Sequence, residues 1–228
     1  GGVAHASYGG IGLALFSGFP PLLGALLAAL IVGLILGVLK GRKYRNTDAV
    51  VSALWAMGMA FGIILTDKTP GYAADYLSYL FGNILITGRL ELIASGAFAI
   101  VIIVLTLKYY RIILAVSADQ DYAQSLGINV KAINLIILVL LCVGAVLIMK
   151  VSGLVMVMAL LSIPVAVAER HTKSLSLTII LSGLISFAAI FLGFALSHKL
   201  NLTPSAVMVA LLSAVYISDI IFSRYKKG

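Results

Sequence analysis

The stretch AINLIILVLLCVGAVLIM, Ala132–Met149, runs for 18 positions without a charged residue. At about 1.5 Å of rise per residue, a helix of this length plus a residue or two at each end crosses the ~30 Å hydrocarbon core of a bilayer. One such run can also be a buried helix of a soluble protein, so its neighbours decide. Similar runs recur on both sides, and spans are expected at 5–18, 22–40, 47–65, 90–109, 132–149, 153–168, 175–197 and 204–222. The 228 residues are 62% hydrophobic and 11% charged, whereas a soluble domain carries about 25% charged residues. No room is left for a soluble domain. The expected fold is an all-α polytopic membrane protein: about eight transmembrane helices with the first partial, forming a single transmembrane domain over 1–228.

The formal charge of +8 would suit a nucleic-acid partner if it were gathered on one surface. It is instead divided between alternate loops. One set holds Lys40, Arg42, Lys43, Arg45, Lys108, Arg111, Lys131, Arg170, Lys173, Arg224, Lys226 and Lys227. The other holds only Lys68, Arg89, Lys150 and Lys199. By the positive-inside rule the first set, and the C-terminus with it, faces the cytoplasm. The basic balance reports topology, the partner is membrane lipid, and no nucleic acid is expected.

Several helix ends are legible. Pro20-Pro21 marks an outer turn, and only about a dozen apolar residues separate it from His5, too few to cross. The upstream half of this first helix is therefore expected to lie outside the sequence. Asn46-Thr47-Asp48 and Thr203-Pro204 read as helix starts. Asp67–Asp75 reads as an external loop. The aromatic segment DYLSYLFGNIL, Asp75–Leu85, is too short to span and is expected at the outer interface or as a re-entrant helix. Gly33 with Gly37 and Gly58 with Gly62 form G-x-x-x-G pairs, which in lipid favour close helix packing, here within the chain. The lone Cys142 lies within a span and has no disulfide partner in the chain.

Motifs for enzymatic chemistry are absent. No P-loop, H-E-x-x-H, paired cysteines or G-x-S-x-G occurs. The chain is not expected to be an enzyme, to hydrolyse ATP itself or to hold a permanent cofactor. Charges inside the spans are almost absent, which argues against an ion-coupled carrier. The exception is His5, about 18 Å from the outer end of its helix and near the bilayer midplane. Gly2, Ala4, Ala6, Ser7 and Gly9 around it let neighbouring backbones approach. Its imidazole suits zinc, iron or manganese, or equally a hydrogen bond to Ser7, Tyr8 or a carbonyl. His171 reads as a solvated loop residue. His198 reads as an external interface residue and a candidate for the outer gate. Met149, Met156 and Met158, soft ligands in principle, read as packing.

The polar stretch SADQDYAQSLGINVK, Ser117–Lys131, falls on the cytoplasmic side. Asp119 and Asp121 suit a helix N-terminus, and Gly127 suits a C-cap. Tyr122, Ala123 and Leu126 at i, i+1 and i+4 are expected on one small apolar face. A short helix of this kind is shaped to enter a cleft of a partner, or it is a solvated loop helix.

AVSADQDYAQSLGINVKAINLIILVLLCVGAVLIMKVSGLVMVMALLSIPVAVAE, Ala115–Glu169, resembles the permease subunits of bacterial ABC importers for zinc, manganese and iron. HASYGGIGLAL, DAVVSALWAMGMAFGIIL and LSYLFGNIL fit the same family in the same order, so the resemblance covers essentially the whole chain. The core of the likeness is Ala-x-x-Leu-Gly, here Ala123, Leu126 and Gly127, with the apolar run to Pro164. The resemblance implies that 117–131 is a cytoplasmic coupling segment docking an ATP-binding cassette ATPase. It further implies a homodimer in a bacterial or archaeal cytoplasmic membrane, an extracytoplasmic metal-binding protein as the outer partner, and a transported divalent metal. The family carries a metal-contacting Asp-x-x-x-His pattern at the start of this helix. His5 matches the histidine, while Gly1 stands where the aspartate would be. A permease for a metal chelate such as a siderophore or cobalamin, a stand-alone metal channel or secondary carrier, and a structural scaffold are the alternative readings.

Overall fold

The computed structural model describes residues 2–41, 47–69, 82 and 87–225. Among them the helices are α1 (Gly2–Ser17), α2 (Pro21–Gly41), α3 (Thr47–Asp67), α4 (Arg89–Ala118), α5 (Gln120–Ser125), α6 (Val130–Ser152), α7 (Leu154–His171), α8 (Leu175–Leu200) and α9 (Pro204–Tyr225). No strand occurs among the described residues. Seven helices, all but α1 and α5, are long and apolar enough to cross a membrane. The chain is a polytopic all-α membrane protein. With 16 described residues, α1 is shorter than a crossing helix.

Local chemistry accounts for the helix ends. Gly18, at φ +78°, lets the Phe19 N–H reach back to the Ala14 carbonyl at 3.1 Å and close α1, and Pro21 then opens α2. Pro204 is likewise the first residue of α9, with the Thr203 carbonyl accepting from Val207 at 3.2 Å. Ser174 caps α8 by accepting the Leu177 N–H, and Asn201 ends it in the left-handed region at φ +53°. Asn46 and most of Asp75–Leu85 lie outside the described residues, so the cap and the re-entrant segment read there are not described.

The chain divides into two compact units. The first contains α1 to α5 and α6 as far as Val151. Within it α1 is buried among α2 and α3, which contact nearly its whole length. A Cβ added at Gly9 would lie 2.9 Å from the Gly58 carbonyl oxygen, at Gly12 2.4 Å from that of Gly62, and at Gly10 2.1 Å from that of Gly24. Backbone meets backbone here. Gly33 and Gly37 of α2 receive Cys142 and Leu135 of α6 in the same way, through side chains. Both G-x-x-x-G pairs thus pack within the chain.

The second unit runs from Ser152 and contains α7, α8 and α9, each packed on the other two. Ala159, Ala189 and Leu212, one from each helix, form its buried centre with Leu160, Ile163, Ile185 and Val209 around them. Gly153, at φ +85°, turns the chain from α6 into α7, and Gly82 lies against the Ser152–Gly153 backbone. Pro164 is buried inside α7.

One boundary differs from the expected span. The helix expected to end at 109 continues to Ala118, leaving helical geometry only at Tyr109 (φ −106°, ψ 17°). The Lys108 ammonium stands 5.4 Å from the centre of the Tyr109 ring at this kink. Lys108 and Arg111, expected to close the span, lie within the helix rather than at its end.

Candidate functional site

Asp119 ends one helix and starts another. Its N–H donates to the Ala115 carbonyl at 3.0 Å, closing α4, and its own backbone is extended. Its Oδ1 then accepts the N–H groups of Asp121 and Tyr122, both at 3.0 Å, capping α5. At the other end Gly127 takes φ +78°, its N–H donates to Gln124 at 3.0 Å, and the Ile128 N–H donates to Ala123 at 3.2 Å. That pair of bonds is a Schellman closure, and it requires the left-handed conformation glycine supplies. Asn129 starts α6 directly afterwards, its Oδ1 accepting from Ala132 at 3.1 Å.

The result is a six-residue helix held at both ends by its own chain. Tyr122 and Leu126 are 58% and 57% exposed, and Asp119, Asp121 and Gly127 are exposed beside them. Ala123 does not share that face. It is 0% exposed and turned into the chain, because successive helical residues point about 100° apart. The exposed apolar pair is therefore Tyr122 and Leu126, with Ala123 seating the helix from beneath.

His5 is half-buried on α1, and the indole of Trp55 on α3 lies against it. The ring centroids are 4.7 Å apart with planes at 58°. Ser7, read as a partner for His5, donates its hydroxyl to the Val3 carbonyl at 2.8 Å. Among the described residues no three His, Cys, Asp or Glu side chains gather as a metal cage, and Gly1 lies outside them. His198 is exposed in the last turn of α8. Met149 and Met156 are 1% and 2% exposed and fill the interior, while Met158 is exposed.

A cluster missed in the sequence joins α7 to α9. His171, expected to be solvated, has Nε2 2.6 Å from Asp219 Oδ1, and Arg170 Nη1 lies 3.2 Å from Oδ2 of the same carboxylate. An ionised carboxylate only accepts, so both nitrogens donate. The Arg170 guanidinium also stands 5.2 Å from the centre of the Tyr216 ring. The Asp219 side chain is 10% exposed, so a nearly buried acid does occur within an expected span. Its partners are 48 and 49 residues away in sequence, where spacing gives no signal.

The profile of the ABC 3 transport family matches residues 1–223. An uncharacterised membrane protein of Synechocystis is 37% identical over 224 residues, covering 98% of this chain and 80% of that protein. The manganese import system permease protein ScaB of Streptococcus gordonii is 26% identical over 215 residues, covering 94% of this chain and 77% of its own. Among solved structures, PsaBC from Streptococcus pneumoniae in complex with Fab shares the fold, with a TM-score of 0.83, 24% identity and 96% of this chain covered against 78% of that one.

Proposed function

Since the chain belongs to the ABC 3 transport family, we propose that it is the membrane-spanning permease subunit of an ATP-binding cassette importer for a divalent transition metal. Manganese is the first candidate, because relatives in Streptococcus gordonii and Listeria monocytogenes are named for manganese transport. Zinc and iron share the imidazole chemistry that His5 offers. ATP is hydrolysed by a separate ATPase, and the permease works as a homodimer with the path between subunits. A metal-binding protein delivers the ion to the outer face, where His198 lines the entrance. The uneven division of Lys and Arg supports a cytoplasmic α5 and C-terminus.

The observation that carries this reading is α5. A short helix, closed at both ends and presenting Tyr122 and Leu126 to solvent, is a ready knob for a cleft in the ATPase. Closure of two ATPases around nucleotide would move both knobs and rock the helices between inward and outward states. His5 serves as a passing ligand: one imidazole binds a divalent ion without trapping it.

The test is capture of the ATPase by the full-length permease in detergent, comparing wild type with Leu126→Arg. Leu126 is exposed, so the charge is tolerated by the fold while an apolar cleft rejects it. Capture by wild type with at least a ~10-fold loss in the variant is expected, the scale of one hot-spot residue. Equal capture by both removes α5 from the docking site. Manganese flux through the permease alone in liposomes would overturn the importer reading in favour of a channel.

A further inference from the structure

The contact between His5 and Trp55 follows from the glycine seam beside it. Ala6 lies against Gly58 and Gly9 against the same residue, so α1 and α3 are fixed at backbone contact. His5 precedes Ala6 by one residue and Trp55 precedes Gly58 by three, which is nearly one helical turn. With the two helices held this closely, the two rings come into contact. Their 4.7 Å separation and 58° tilt fall within the range of attractive edge-to-face pairs.

We propose that Trp55 is the positioning residue for His5 during metal translocation: its indole sets the orientation of the imidazole and stabilises that ring when it ligates a divalent cation. This rests on the reading of His5 as a translocation ligand. An imidazole bound to a divalent ion carries partial positive charge, and the π face of indole attracts such charge more strongly than phenyl. An unsupported histidine on a helix can turn its ring away from an arriving ion. Against Trp55 it is held in fewer orientations, so an ion meets a ligand already aimed. Trp55 is itself 44% exposed.

Trp55 is the single tryptophan of the sequence, and it touches the proposed ligand, so it also reports on it. A paramagnetic ion at His5 would quench its emission at contact range. The experiment uses the reconstituted full-length permease with its ATPase. The emission of wild type minus that of Trp55→Phe isolates this indole from any other in the assembly. Manganese(II) is expected to quench it, magnesium(II) to leave it unchanged, and His5→Ala to abolish the quenching. In uptake assays Trp55→Ala is expected to raise KM for manganese about five-fold with the maximal rate little changed, the scale of one aromatic pair. Trp55→Phe keeps an aromatic edge and is expected to restore KM to within about two-fold. Should Trp55→Ala not assemble, Trp55→Leu carries the same comparison, keeping bulk without a π face. Quenching in wild type together with an unchanged KM in the Ala or Leu variant would overturn the positioning role and leave His5 standing. No quenching in wild type, with uptake intact in His5→Ala, would overturn the reading of His5 and the role of Trp55 with it.

Discussion

Between α1 and its neighbours α2 and α3, backbone rests on backbone; among α7, α8 and α9, side chains fill the space. In lipid, apolar burial gives no net drive for helices to associate, so both units rely on van der Waals contact and on polar ties. The first unit obtains its contact from Gly9, Gly10 and Gly12 meeting Gly58, Gly24 and Gly62. The second interleaves Ala159, Ala189 and Leu212 and fastens one end with Asp219, Arg170 and His171. A backbone atom cannot move aside when its neighbour grows, whereas a methionine can change rotamer. The α1 seam of the first unit is thus intolerant by construction and the packing of the second unit more adaptable. The proposed metal ligand sits beside that seam, where a fixed ring position is useful.

The sharpest test of that contrast pairs two glycines. Gly10→Ala would bring a methyl to 2.1 Å from the Gly24 carbonyl oxygen, and a loss of about 3 kcal/mol or more is expected, visible as loss of monodisperse protein in detergent. Gly193→Ala meets Met208 at its Cγ, which can turn aside, and at its backbone Cα at 3.1 Å, which cannot, and is expected to cost less, about 1–2 kcal/mol, read as a smaller fall in thermal midpoint. Equal losses at the two positions would break the comparison.

A smaller effect than that of Gly10→Ala is expected at the polar tie. Asp219→Ala leaves Arg170 and His171 without their shared acceptor. Since those partners are 38% and 55% exposed, water takes over part of the bonding, and the expected cost is about 1–2 kcal/mol. Thermal unfolding checks it, and Asp219→Asn, which keeps one acceptor oxygen, should recover part of the loss. An Asp219→Ala midpoint equal to wild type would mean that side-chain packing alone holds the second unit.

Least of all should change at Gly183, where a Cβ meets nothing within 4 Å. Gly183→Ala is expected to be neutral or to stabilise α8 by up to ~1 kcal/mol through helix propensity. A marked loss of thermal stability there would show that lipid or another subunit presses on that face.

Much of the architecture was legible because a bilayer imposes a length. Ala132–Met149 and its counterparts stand out by composition, and Pro21, Pro204 and Gly127 mark helix ends through chemistry local to the residue. Where reading along the chain fell short, the missing information was relational. Charges at Lys108 and Arg111 suggest an end of the span and say nothing of the helix, which goes on to Ala118. Gly58 and Gly62 announced a close contact without naming α1 as its partner. The polar stretch 117–131 does hold a short helix, but the face expected to carry Tyr122, Ala123 and Leu126 lacks Ala123, which is buried. Trp55 beside His5 and Asp219 beside His171 depend on which helices are neighbours, and no spacing rule encodes that.

The double closure of α5 by Asp119 and Gly127 bears on the thermodynamics of docking. A free six-residue helix is mostly unfolded in water, because nucleation costs more than so few bonds return. A partner that had to order such a segment would spend several kcal/mol of its contact energy on lost chain entropy. Here that entropy has already been given up, on folding, to bonds within residues 115–132. The ATPase would meet a surface in its final shape, and its binding energy would remain available for moving the permease.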